Sequence, residues 1–243
     1  MEVGVCMELK YKRILLKMSG EAFKANNDIY DKSKLANFAS QVIALAKEGL
    51  QIGIVIGGGN IWRGKLADTL ELDRVDADYM GMLATIMNAL AFEATIHKLG
   101  YDKVVVYSAL EIKTVTSAYN YRFAREKLDA GYITIFAGGT GFSYFTTDTG
   151  ATIRAIEIQA DALLMAKNGT KGVYDSDPNT NKDAKFLAEI SHLEVLQRDL
   201  KVMDGTAAAL ARDAAVTIEV FDMNGDDNLI KVLHNELEST IIK

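Results

Sequence analysis

GLQIGIVIGGGNIWRG, residues Gly49 to Gly64, sets the reading of the whole chain. QIGIVI (Gln51–Ile56) is short and almost wholly apolar, as a strand buried on both faces must be. Three consecutive glycines follow it, and Arg63 comes four residues after the last of them. In open α/β sheets, ligands bind beyond the carboxyl ends of the strands. Glycines there let backbone N–H groups approach an anion with no Cβ in the way. A guanidinium beside them can hold phosphate oxygens two at a time. The plainer alternative is a solvated arginine that closes a turn.

The same pattern recurs outward along the chain. RILLKM (Arg13–Met18) reads as a buried strand and runs into KMSGE (Lys17 to Glu21). YITIFA (Tyr132–Ala137) runs into AGGTG (Ala137 to Gly141), and ALLMA (Ala162–Ala166) into AKNGTKGVYDSDP (Ala166 to Pro178). One glycine turn is a weak signal, but four at successive strand ends point to a bound anion. KVVVY (Lys103–Tyr107) and TIEVF (Thr217–Phe221) read as further strands, with Thr240–Ile242 as a last edge strand. Helices are expected over Lys34–Gly49, Asp78–Leu99, Tyr121–Leu128, Thr147–Gln159, Thr206–Arg212 and Asp227–Glu236, from apolar residues three or four apart. The stretch from Tyr107 to Tyr121 is ambiguous. The polar stretch from Asp175 to Asp199 reads as a hairpin, flap or lid. This alternation predicts an α/β three-layer sandwich, a mainly parallel sheet with helices on both faces.

Composition narrows the function. The chain has 243 residues, 49% of them hydrophobic, enough for one sizeable core. A net charge of −6 argues against broad attraction to nucleic acid. A single cysteine, Cys6, argues against a disulfide scaffold and reads as a small hydrophobe or a loose thiol. No run reads as a membrane span or signal-peptide core, so the expected setting is the cytoplasm. No P-loop, nucleophile elbow or convincing dinucleotide fingerprint occurs. The three histidines, His97, His192 and His234, lie far apart and read as structural or surface residues.

Taken together, YKRILLKMSGEA (Tyr11 to Ala22), VIGGGNIWRG (Val55 to Gly64), DYMGMLATIMNALA (Asp78 to Ala91), GGTGFSYFTTDTGA (Gly138 to Ala151), NGTKGVYDSDP (Asn168 to Pro178), LKVMD (Leu200 to Asp204) and VFDMN (Val220 to Asn224) resemble the bacterial uridylate (UMP) kinases of the amino acid kinase family. Two departures stand out. The family's acceptor loop often reads Thr-Gly-Asn-Pro-Phe-Phe-Thr-Thr-Asp, where this chain carries Phe142 and Ser143 in place of Asn-Pro. Lys171 stands where an aspartate is usual.

The resemblance implies transfer of the γ-phosphoryl group of ATP to UMP. The alternatives are another kinase of the family, acting on glutamate, aspartate or carbamate, or a noncatalytic nucleotide-binding regulator. It implies Lys17, Asp148 and Asp204 as catalytic, with Lys17 the cation on the transferred group, Asp148 holding either Lys17 or a magnesium-bound water network, and Asp204 orienting Lys17. It implies ATP contacts from Lys17, Met18, Ser19, Gly20, Gly59, Arg63, Asn168, Tyr174 and Asp177. UMP contacts would come from Gly58, Asp78, Thr140, Gly141, Phe142, Ser143, Tyr144, Phe145, Thr146 and Thr147. On its residue type alone, Asp78 reads equally as a helix cap, as does Asp204. Mg2+ is expected to travel with ATP rather than on protein ligands. UTP as inhibitor, GTP as activator and a homohexamer are implied in the same way, with no nucleic-acid or membrane partner. Residues 1–10 lie outside the resemblance and read as a flexible extension. Residues 11–243 form one expected domain, roughly 11–160 for the acceptor and 161–243 for the donor.

Overall fold

The computed structural model describes residues 8–26, 28–178 and 180–243. Cys6 and the first seven residues of the expected extension lie outside them. Along the chain come β1 (Arg13–Met18), a 3-10 turn (Gly20–Phe23), α1 (Lys32–Lys47), β2 (Gln51–Ile56), α2 (Gly64–Thr69), α3 (Arg74–Lys98), β3 (Val104–Ser108), β4 (Ser117–Ala118), α4 (Tyr121–Asp129), β5 (Ile133–Ala137), α5 (Thr147–Glu157) and β6 (Ala162–Lys167). Then follow β7 (Val173–Tyr174), β8 (Phe186–Leu187), β9 (Glu189–Ile190), α6 (His192–Gln197), α7 (Gly205–Asp213), β10 (Ile218–Asp222), α8 (Asn228–Leu233) and β11 (Ser239–Ile242).

Among the described residues, nine strands form one sheet in the order β4-β3-β5-β2-β1-β6-β10-β11-β9. Within it only the β10–β11 pairing is antiparallel, and β7 and β8 form a separate antiparallel pair. β1 shows why the sheet needs cover on both sides. Ile14, Leu16 and Met18 enter the core beneath α1 and α3, while Leu15 enters the opposite core with Ala151 and Ala155 of α5. All four are fully buried, and each such side chain is worth roughly 1.5–3 kcal/mol of transfer free energy. Lys17 shares the second face but lies at the carboxyl end. There the strand order turns, since β1 sits between β2 and β6. A crevice at that place is where an open α/β sheet holds its ligand.

Several boundaries differ from expectation. α3 starts at Arg74, not Asp78, because Asp73 caps it by accepting from Val75 N at 2.8 Å. Asp78 is one turn inside the helix and has no capping role. α3 also runs 25 residues and is long and apolar enough to cross a membrane by length and composition, which the sequence reading missed; 44% of that apolar stretch is buried inside the protein. α2 was not foreseen. β11 is not an edge strand, because β9, from within the polar 175–199 stretch, pairs with its outer side. Leu9 and Lys10 are not a loose extension. Leu9 packs on the core, and Lys10 Nζ reaches the buried Glu219 at 2.7 Å.

Candidate active site

Lys17 Nζ lies 2.6 Å from Asp148 Oδ1, with both side chains mostly buried. Asp148 is held by the first turn of α5, where Thr146 caps the helix and accepts from Asp148 N at 3.1 Å. A carboxylate is favoured at that positive helix end, so the pair is set by two independent elements meeting at the strand crevice. Beside it, Ser19 Oγ accepts from Glu21 N at 3.3 Å. The Met18 side chain is in the core, and its carbonyl accepts from Gly57 N at 2.9 Å. Met18 therefore presents only backbone to the crevice. Gly20 has no room for a side chain, since a Cβ would sit 2.4 Å from both Asn60 Oδ1 and Gly57 O.

The glycine turn after β2 is braced from below by two residues that the sequence reading passed over. Asn88 Nδ2 donates to Gly57 O at 2.7 Å and to Asn60 Oδ1 at 2.8 Å, and Asn60 Nδ2 donates to Ile29 O at 2.9 Å. Both asparagines are buried, so these bonds satisfy amides that would otherwise be costly. The available signal was a carboxamide on the apolar side of a helix. Gly58 lets the turn approach α3, where a Cβ would stand 2.9 Å from Ala84 Cβ and Gly81 O. Arg63 is largely exposed. Its guanidinium pairs with Glu21 and its Nε donates to Gly59 O at 3.0 Å, which places it at the rim.

A cavity of about 540 Å³ opens next to this turn. Gly58, Gly59, Asp78, Thr140, Phe142, Phe145, Thr146 and Thr147 line it, so the structure brings these candidates together. Gly59, read for ATP, is thus also on this side. Gly141, Ser143 and Tyr144 are not in the lining. Tyr144 instead acts through its backbone: its N–H donates to Asp78 Oδ2 at 2.7 Å, while Arg74 Nε donates to Asp78 Oδ1 at 2.8 Å. The Arg74 guanidinium also stands over the Tyr144 ring, 5.3 Å from its centroid. These contacts hold Tyr144 at φ +67°, a conformation that costs a side-chain-bearing residue energy. Arg74 was another residue missed. Phe142 is 69% exposed although it edges the cavity.

Asp204 bridges toward the other side. It caps α7 through Ala207 N at 3.0 Å and accepts hydrogen bonds from Thr146 Oγ1 and from Thr149 Oγ1. Burial pushes its carboxyl up, but these bonds outweigh burial and the net shift is downward. Among the described residues its hydrogen-bond partners are these threonines and the helix start, whereas the ion pair of Lys17 is with Asp148.

Beyond Asp204, a second cavity of about 410 Å³ is lined by Lys167, Tyr174, Asp177 and Val202, among others. The Tyr174 ring meets Phe186 edge-on at 5.6 Å. Asn168 is not with them. It lines a separate hollow with Glu21, Lys34 and Asn224, because the neighbouring Gly169 N–H turns back to Asp222 Oδ1 at 2.9 Å. Lys171 pairs with Glu238 at the surface. His192 is buried against Val216 O at 2.9 Å and His234 lies 3.1 Å from Glu48, both away from the crevice. Among the described residues, no group of three or more His, Cys, Asp or Glu could hold a metal ion.

The site thus consists of an ion pair at a strand switch, a glycine turn, and one cavity on each side. Residues 12–222 match the model of the amino acid kinase family. The chain is 64% identical to a uridylate kinase of Mycoplasma capricolum subsp. capricolum over 98% of this chain and 100% of that protein. It superposes on the crystal structure of UMP kinase from Ureaplasma parvum with a TM-score of 0.92 at 38% identity, covering 97% of this chain and 100% of the other. For UMP kinase from Bacillus anthracis the TM-score is 0.91 at 36% identity, with 96% of each chain covered. With the match running from β1 through β10, and these likenesses spanning nearly the full length, the chain belongs to the amino acid kinase family.

Proposed function

We propose that this protein transfers the γ-phosphoryl group of ATP to UMP, giving UDP and ADP. The observation that carries this reading is the Lys17–Asp148 pair, whose neighbours Thr147 and Lys167 line two separate cavities, each large enough for a nucleotide. The names of its relatives point the same way. Phosphoryl transfer asks for alignment and charge neutralisation more than covalent chemistry. Lys17 supplies a cation where charge develops on the transferred group, and Asp148 keeps it aimed there. The backbone N–H groups around Gly58 and Gly59, with the first turn of α5, suit the acceptor phosphate. Asp78 keeps acceptor capacity on both oxygens for sugar hydroxyls while it holds the loop. An amino acid acceptor would leave much of the larger cavity empty.

Mg2+ belongs to this reading as a companion of ATP, whose phosphates it commonly accompanies. The cytoplasm is the proposed setting. UTP inhibition and GTP activation rest on the family resemblance alone. The proposed hexamer has one physical support. Val75, Tyr79, Leu83 and Met87 recur every four residues on α3 and are each at least 36% exposed, a stripe that a second copy would cover. The test of the activity is ADP formation from ATP with UMP, CMP, AMP and glutamate in parallel. UMP should be the best acceptor by a wide margin. Equal rates for any other acceptor would overturn the assignment.

A further inference from the structure

The end of β6 carries a cation that the mechanism above does not use. Lys17 pairs with Met165 in the parallel register of β1 and β6, so Lys167 stands two residues further along on the same face. There it lines the smaller cavity with Tyr174 and Asp177. Its Nζ donates to Val202 O at 2.6 Å, a neutral partner. No ion pair of Lys167 occurs among the described residues, whereas Lys17 has Asp148. The crevice floor therefore holds two ammonium groups against the carboxylate of Asp148. Burial first, and then the charge of Lys17, push Lys167 below the ordinary lysine range. An ammonium kept in such a place is costly unless an anion arrives to face it.

We propose that Lys167 is a second phosphate-binding cation for the donor, reaching the polyphosphate of the nucleotide held in the smaller cavity. This rests on the kinase reading and deepens it. Lys17 serves the group in transfer. Lys167 serves the part of the donor that stays behind as ADP. The bond to Val202 O gives it a second effect. That carbonyl belongs to the loop leading to Asp204, so the position of the ammonium is tied to the wall that closes the cavity.

The experiment measures binding of adenosine, ADP and ATP by calorimetry to the wild-type protein, Lys167→Met and Lys167→Gln. The glutamine variant keeps an N–H donor on a side chain one bond shorter and removes the charge. Thermal unfolding verifies that each variant is folded. ADP and ATP affinity should fall about tenfold to a hundredfold in both variants, the scale of one hydrogen bond to a charged group. Adenosine affinity should stay within about twofold, and so should the UMP Michaelis constant, since both lack the contact. Equal losses for adenosine and ADP would make Lys167 a strut for the loop and overturn the proposal. Unchanged ADP affinity in the glutamine variant would overturn it as well, even if the methionine variant failed to fold. Because this contrast needs no turnover, it is separate from the kinase reading, which falls if the wild-type protein makes no UDP.

Discussion

The two cavities are walled differently. The larger is laced together by bonds between distant parts of the chain. Tyr144 N reaches Asp78, Gly138 N reaches Thr85 Oγ1 at 2.9 Å, and the buried Arg154 holds Gly139 O at 3.4 Å while lying 3.7 Å over the Tyr119 ring. The smaller is anchored at its base, where Val173 N donates to Thr240 Oγ1 at 2.8 Å and Lys167 Nζ to Val202 O at 2.6 Å. Beyond Tyr174 its lip is tied mostly to itself, with Lys185 N donating to Asp175 Oδ1 at 2.8 Å and Asn181 Nδ2 to Ser176 Oγ at 3.0 Å. Local bonds at the surface open more easily than long-range buried ones. The acceptor side is thus preorganised, and the donor side has a lip that can adjust to its nucleotide.

Lys17 stands between the two walls, so its removal tests the comparison most severely. Lys17→Ala should lower kcat by roughly a hundredfold or more, the scale of deleting one group that stabilises transition-state charge. The Michaelis constants for ATP and UMP should change far less. Steady-state kinetics with turnover within about threefold of wild type would make Lys17 an ordinary strand-end lysine.

Asp78→Asn probes the laced wall alone. Asp73 caps α3, so the substitution leaves the helix start untouched. It weakens the charge-assisted bonds from Arg74 and Tyr144 N, and any bond to a ribose hydroxyl. The UMP Michaelis constant should rise about tenfold, in line with about 1.5 kcal/mol for one hydrogen bond to a charged group. The ATP constant should hold steady. Equal changes in both would mean that the two walls are not separable.

A smaller effect concerns the bridge between the walls. The Asp204 carboxyl is held below its ordinary value by its threonine and backbone donors, against the upward push of burial. A lowered folded value means that these bonds contribute stability above the unfolded value of about 3.9. That stability is lost as pH falls through the lower folded value. In melting curves from neutral pH down to the acid limit, Asp204→Asn should flatten this acid-side slope. A slope identical to wild type would remove Asp204 from the bridge.

Much of this was legible in the sequence because strands buried on both faces leave long apolar runs, and their glycine-rich ends are contiguous motifs. β1 and β2 fall at the expected residues for that reason. The start of α3 was less legible. Asp73, Asp76 and Asp78 all lie near it, each is chemically able to cap, and only packing decides among them. Asn60 and Asn88 are 28 residues apart and meet through tertiary contact alone. The donor side was read as one pocket because Asn168, Tyr174 and Asp177 are close in sequence. The turn at Gly169, fixed by Asp222 from another strand, sends Asn168 elsewhere. Lys167 was visible only as the residue that follows the strand ALLMA and opens the donor stretch, since its having no ion pair among the described residues is a property of the folded chain.

In the proposed reaction, a phosphoryl group passes from the adjustable cavity to the preorganised one across the Lys17–Asp148 pair. The direct measurement is to supply ATP labelled at its γ-phosphate together with UMP and separate the nucleotides after a short incubation. Label should appear in UDP, in step with ADP formation, and be lost with Lys17→Ala. Label released as inorganic phosphate, or retained in ATP while UMP is in excess, would contradict it.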